Sequence, residues 1–135
     1  YYLHPFAVAD ILKEKGFNDD YQAAGLLHDT LEDTNATKEE ILKLSNKGVL
    51  DTVVLLTKEK EYKMQDYYNR IINNDMAKMV KLADRYHNLS ESTMTNILFK
   101  KKYIKETEEW YLKMAEGTCF EEDIKQALDN LIKSL

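Results

Sequence analysis

Residues 23–33, Ala23-Ala24-Gly25-Leu26-Leu27-His28-Asp29-Thr30-Leu31-Glu32-Asp33, read as an apolar helix that closes on four ionisable side chains. Its first half is apolar almost all round, which marks a helix central to a core rather than one lying on a surface. Ala23-Ala24-Gly25 makes one side small, so another helix can approach closely. Burying the ionisable end is costly unless those groups pair with one another or bind an ion. On a regular helix His28 and Asp29 diverge by roughly 100°. Glu32 and Asp33 follow them by four residues, so each returns to its partner's face.

Helix signals continue outward in both directions. Upstream, Pro5 suits the first turn of a helix carrying Phe6, Val8, Ile11 and Leu12, with Gly16 as its stop. The central helix begins near Asp19 or Asp20. Downstream, Thr37-Lys38-Glu39-Glu40 has the spacing of a capping box before a short helix through Ile41, Leu42 and Leu44. Val49, Val53, Val54 and Leu56 predict a further helix, despite their β-branching, and Tyr62 to Asn73 another. Asp75 opens a segment with Met76, Met79, Val80, Ala83 and Tyr86 at helical spacing. Ile97 to Ala115 reads as one long helix, and Phe120 to Leu135 as the last, with Ile124, Leu128 and Leu131 inward. One proline and four glycines in 135 residues leave few helix breakers. The expectation is an all-α fold in one compact domain over residues 1–135, with no repeat or linker.

Composition narrows the function. A formal net charge of -5 argues against general nucleic-acid binding, which depends on clustered Lys and Arg. Lys58, Lys60 and Lys63, and Lys100 to Lys102, read as solvated helix faces unless one run stands beside an anionic substrate. Cys119 is the single cysteine, so neither an internal disulfide nor a thiolate metal site is available. A cytoplasmic setting is expected, with no membrane span and no signal peptide.

Three polar interruptions carry the chemistry. Beside His28-Asp29-Thr30-Leu31-Glu32-Asp33 stands Lys81-Leu82-Ala83-Asp84-Arg85-Tyr86-His87-Asn88, where Asp84, His87 and Asn88 share a helix face at i, i+3 and i+4. The third is His4, immediately before Pro5. Taken singly, each fits an acidic helix end, a buried ion pair or a capping histidine. Jointly, His4, His28, Asp29 and Asp84 offer two imidazoles and two carboxylates without sulfur, a set suited to Mn, Fe, Co, Ni or Zn.

The ordered motifs His4-Pro5, His28-Asp29-Thr30-Leu31-Glu32-Asp33-Thr34, Thr57-Lys58 and Lys81 to Asn88 resemble the HD-type hydrolase domain of the RelA/SpoT family and the small stand-alone alarmone hydrolases. Glu106-Thr107 and Tyr111 extend the likeness into a later helix. The resemblance implies an all-helical HD fold binding Mn. The implied reaction is metal-dependent hydrolysis of the 3′-pyrophosphate of guanosine tetra- or pentaphosphate to GDP or GTP plus pyrophosphate. It assigns the metal to His4, His28, Asp29 and Asp84, catalysis to the acidic pair Glu32 and Asp33, and substrate contact to Asn88, Lys58 and Lys81. It gives His87 no place on the metal.

Two departures bear on the substrate. Ser90 and Glu91 follow Leu89, where the family carries arginine and threonine, and an inward Glu91 would repel pyrophosphate. The family also carries basic residues shortly before the first histidine; with three residues ahead of His4, these are absent or uncounted here. A related HD phosphohydrolase acting on another nucleotide (a phosphomonoester or a dinucleotide 2′-phosphate), or a non-catalytic nucleotide-sensing domain, is the alternative.

Overall fold

The computed structural model describes residues 3–135, and among them every regular element is helical. Ten α-helices run in order: α1 His4–Glu14, α2 Asp19–Leu27, α3 Thr30–Asp33, α4 Lys38–Leu44, α5 Lys47–Leu56, α6 Met64–Ile72, α7 Asp75–Glu91, α8 Ile97–Glu106, α9 Leu112–Ala115 and α10 Glu121–Lys133. A 3₁₀ turn, Ser92–Met94, follows α7, and a π turn, Thr107–Tyr111, joins α8 to α9. The all-α expectation holds. The chain groups into two compact units, residues 1–81 and 82–135, and the division falls inside the unbroken helix α7.

In the first unit, α1 packs on α2 through the small side that the sequence displays. A Cβ built on Gly25 would stand 2.8 Å from Leu12 Cδ1, 3.2 Å from Val8 Cγ1 and 3.5 Å from the Ala9 backbone nitrogen. Val8, Leu12 and Ala24 are fully buried there. The β-branched run does form helix α5. The Asn46 side chain accepts from Val49 N–H at 3.0 Å to start it, and Val49, Thr52, Val53 and Leu56 line its buried face. Thr37 and Glu40 close the capping box ahead of α4, with Glu40 N–H on Thr37 Oγ1 at 3.2 Å and Thr37 N–H on Glu40 Oε1 at 3.1 Å.

In the second unit, α10 turns Ile124, Leu128 and Leu131 inward, as its spacing predicts. Met114, Ala115 and Phe120 are buried as well. The Asn96 side chain accepts from Phe99 N–H at 3.0 Å and starts α8.

Four local expectations change. The central helix does not run through His28; it ends at Leu27 and resumes as α3. Two side chains take over carbonyls near the break: His28 Nδ1 lies 2.6 Å from Gly25 O, and Thr30 Oγ1 donates to Leu27 O at 2.7 Å. Nor is that helix buried all round, since Leu26 is 37% exposed. The segment Ile97 to Ala115 is not one regular helix, because the π turn inserts a wider loop of backbone within it. Helix α6 starts at Met64, leaving Tyr62 and Lys63 in the approach to it.

A further tie in the first unit is ionisable. Tyr21 on α2 donates its hydroxyl to Asp75 Oδ2 at 2.5 Å, at the start of α7. That hydrogen bond, with burial and the Asp75 charge behind it, pushes the phenol up to about 12. The folded state therefore holds this proton more tightly than the unfolded chain. The contribution is full below the ordinary phenol range and lost as pH rises through about 12. Tyr21→Phe is expected to lower stability at neutral pH by about 1 kcal/mol. Urea unfolding at pH 7 and pH 11 checks this, with the gap between the two proteins narrowing at the higher pH.

Candidate metal centre

The first turn of α1 and the break between α2 and α3 bring His4, His28 and Asp29 together. One ligand atom from each lies within 4.8 Å of the others. His4 is 1% exposed and His28 3% exposed, and their ring centroids are 5.6 Å apart, edge to face. Two imidazoles buried side by side are costly to desolvate unless their nitrogens have work to do.

The tautomer of His28 follows from its partner. A carbonyl can only accept, so the 2.6 Å contact with Gly25 O places the proton on Nδ1. In the neutral ring this leaves the lone pair on Nε2, the form in which histidine binds metals. That nitrogen lies 3.1 Å from Asp29 Oδ2. Two adjacent ligands of an octahedral ion sit about 3 Å apart when metal–ligand bonds are about 2.1 Å. The pair thus has the spacing of one edge of such a polyhedron, and its donors are the nitrogen and oxygen that first-row divalent ions accept. The residues present fit a divalent cation.

The helix break explains how neighbours share this task. Asp29 stands as the residue leading into α3, and α3's first turn begins again from it. Asp33 N–H donates to Asp29 O at 2.9 Å. His4, Pro5, Leu26, Asp29, Thr30, Asp33 and Thr34 line a cleft of about 300 Å³. The acidic pair is consequently divided. Asp33 lines the cleft with His4 and Asp29, whereas Glu32 Oε1 accepts the Lys58 backbone N–H at 2.5 Å.

Lys58 and Lys81 meet at an aromatic ring. Their ammonium groups lie 5.5 Å and 5.6 Å from the centroid of Tyr67, and Lys58 also lies 5.2 Å from that of Tyr62. Tyr67 is held from behind by its own hydroxyl, which donates to Leu56 O at 2.7 Å. Arg70 lies 5.2 Å from the same ring, but its donors are committed: Nε to Leu55 O, Nη2 to Thr57 O, and Nη1 to Glu59. The guanidinium holds the Glu59 carboxyl below its ordinary range. Tyr67 and Arg70 were not singled out from sequence. A helix rich in polar and aromatic residues does not reveal which ring will gather cations.

On α7 in the second unit, Asp84 is 6% exposed and Asn88 9% exposed, and Asn88 Nδ2 donates to Asp84 Oδ1 at 3.3 Å. The departures from the family pattern turn back on their own helix. Ser90 Oγ donates to Tyr86 O at 2.9 Å, and Glu91, 67% exposed, stands 3.4 Å from His87 Nε2. Glu91 is exposed and faces His87 one turn back on its own helix.

Known proteins resemble this chain in sequence and in fold. The chain is 33% identical over 132 residues to a probable guanosine-3′,5′-bis(diphosphate) 3′-pyrophosphohydrolase of Mycoplasma pneumoniae, covering 85% of this chain and 18% of that protein. It is 35% identical over 123 residues to a guanosine-3′,5′-bis(diphosphate) 3′-pyrophosphohydrolase of Aquifex aeolicus, with the same coverages. A solved structure of a metazoan SpoT ortholog that hydrolyses ppGpp superposes with a TM-score of 0.76 and 25% identity, over 96% of this chain and 80% of that one. Over this stretch the chain is similar to HD-domain hydrolases of the RelA/SpoT family. No family model matches it. A Listeria monocytogenes protein, 24% identical with a TM-score of 0.66, shares the fold. The chain spans less than a fifth of the length of the curated relatives named here.

Because Gly25 supplies both the close helix approach and the carbonyl that orients His28, Gly25→Ala tests the link between fold and site. Val8 and Leu12 are fully buried and have little room to yield. The added methyl is expected to cost about 1–2 kcal/mol in urea unfolding, after the better helix propensity of alanine is subtracted. Mn affinity, measured by calorimetry on the folded variant, should fall as well.

Proposed function

We propose that this chain is a metal-dependent hydrolase of guanosine 3′-pyrophosphates, with a divalent cation held by His4, His28, Asp29 and Asp84. The observation that carries the reading is the buried His28, whose Nδ1–H is fixed on Gly25 O so that Nε2 faces Asp29 at ligand spacing. The names of the Mycoplasma and Aquifex relatives support the substrate. Manganese suits two imidazoles with two carboxylates, and Fe, Co, Ni or Zn are accommodated by the same donors.

A bound cation supplies Lewis acidity at the phosphoryl group and makes water a better nucleophile. The remaining work falls to the chain. A water oxygen adds to the phosphorus attached to ribose O3′, the bond from that phosphorus to O3′ breaks, and O3′ takes up a proton. GDP or GTP and pyrophosphate are released. Asp33, in the cleft beside His4 and Asp29, is placed to take the proton from water. Glu32 serves by holding the Lys58 backbone, so that the start of the segment after α5 stays against α3. Lys58 and Lys81, gathered on Tyr67, present positive charge to the phosphates, and Asn88 contacts the nucleotide from α7. Glu91 is exposed and lies beside His87 on its own helix, which supports a site that tolerates it.

The test is incubation of Mn-loaded protein with guanosine tetraphosphate and separation of products by anion exchange. GDP and pyrophosphate are expected, and chelation should abolish both. Asp33→Asn is expected to slow kcat about 100-fold or more while Mn still binds. Glu32→Gln, which keeps an acceptor for Lys58 N–H, should slow it less than about 10-fold. Equal losses in both variants would overturn this division of labour. Bound Mn without turnover would move the reaction to another nucleotide.

A further inference from the structure

Arg85 follows Asp84 in sequence and is 4% exposed. Its guanidinium carbon lies 4.9 Å from the ring centroid of Tyr103 and 4.4 Å from that of Tyr111. Nη2 donates to Glu106 Oε1 at 3.1 Å. Among the described residues, Nε and Nη1 are buried without a hydrogen-bond partner. A buried cation holding one ion pair is poorly compensated by hydrogen bonds alone, and the two ring faces supply the remaining attraction.

That slot exists because of the π turn. Tyr103 and Tyr111 are eight residues apart, which on a regular α-helix leaves them about 80° out of phase. The π turn at Thr107–Tyr111 adds about one residue to the winding, bringing Tyr111 back to within about 20° of Tyr103. Thr107, fully buried, donates Oγ1 to Tyr103 O at 2.6 Å inside the same turn. Glu106, one turn beyond Tyr103, completes the slot.

We propose that Arg85 is a positioning residue: clamped by Tyr103, Tyr111 and Glu106, it fixes the rotation of α7 about its own axis and so aims Asp84 and Asn88. A helix rotated by a small angle carries every side chain with it, and Asp84 is adjacent to the clamped residue. Lysine cannot substitute, because it lacks the planar face that stacks between two rings and the fork that reaches Glu106. The effect on metal binding rests on the reading of Asp84 as a ligand; the effect on aim does not.

The experiment uses Arg85→Lys, Tyr111→Leu, Tyr111→Phe, Glu106→Gln and Asp84→Ala, each shown to be folded by circular dichroism. Two readouts are taken. In metal-free protein, the Asn88 side-chain amide resonances report its bond to Asp84. In Mn titrations, the electron paramagnetic resonance of free ion gives the dissociation constant. Arg85→Lys and Tyr111→Leu are expected to shift the Asn88 amide and weaken Mn binding about 10-fold. Tyr111→Phe, which keeps the ring, should depart from the unaltered protein less than Tyr111→Leu in both. If Arg85→Lys does not fold, Glu106→Gln carries the test, with the same shift expected at smaller size. Unmoved Asn88 resonances in folded Arg85→Lys or, failing it, Glu106→Gln overturn the positioning role. Unchanged Mn affinity in Asp84→Ala overturns the metal reading instead, while a shifted Asn88 amide in the clamp variants would still support the clamp.

Discussion

The hydrogen bond from His28 Nδ1 to the Gly25 carbonyl is the constraint on which the site depends. Gly25 lies where α1 meets α2, and the absent side chain lets Val8 and Leu12 come against the α2 backbone. The same close approach carries His4, at the start of α1, to the ring of His28. Packing and ligand geometry are therefore one event. A side chain at residue 25 would push the helices apart and move one imidazole from the other.

The break after Leu27 has a comparable economy. A continuous helix would swing Asp29 away from His28 by roughly 100°. Ending α2 and restarting at Thr30 lets the two neighbours meet, with Nε2 and Oδ2 at 3.1 Å. It also separates the two acids that follow, one into the cleft and one onto the Lys58 backbone. Two adjacent carboxylates so acquire different surroundings, which is the condition for different roles. The lysines are treated alike: Tyr67 draws Lys58 and Lys81 to one face of α6, while Arg70 ties that helix to the end of α5.

Much of this was legible in the residues. Helix positions followed from apolar spacing and from caps such as Asn46 and Thr37, because those signals act over a single turn. The candidate ligands His28 and Asp29 stood out because ionisable groups closed an apolar helix, which carries a physical cost whatever the fold. What could not be read depends on neighbours distant in sequence or on fine backbone winding. The halt at Leu27 arises from side chains capturing carbonyls, and nothing in His28 or Thr30 alone requires it. The π turn within Ile97 to Ala115 leaves no mark in hydropathy. Tyr67 as a gathering point for cations appears only when α5, α6 and the start of α7 are folded. The direction of Glu91 depended on a partner, His87, whose own role was left open.

The claim that most needs direct test is that imidazole nitrogen from both His4 and His28 binds the cation. Electron spin-echo modulation of Mn-loaded protein detects such nitrogen through its coupling to the metal spin. The account predicts modulation from two imidazoles, reduced to one by His4→Gln and separately by His28→Gln. Absence of nitrogen modulation from Mn bound at one equivalent would contradict it, and the cation would then sit among carboxylates elsewhere.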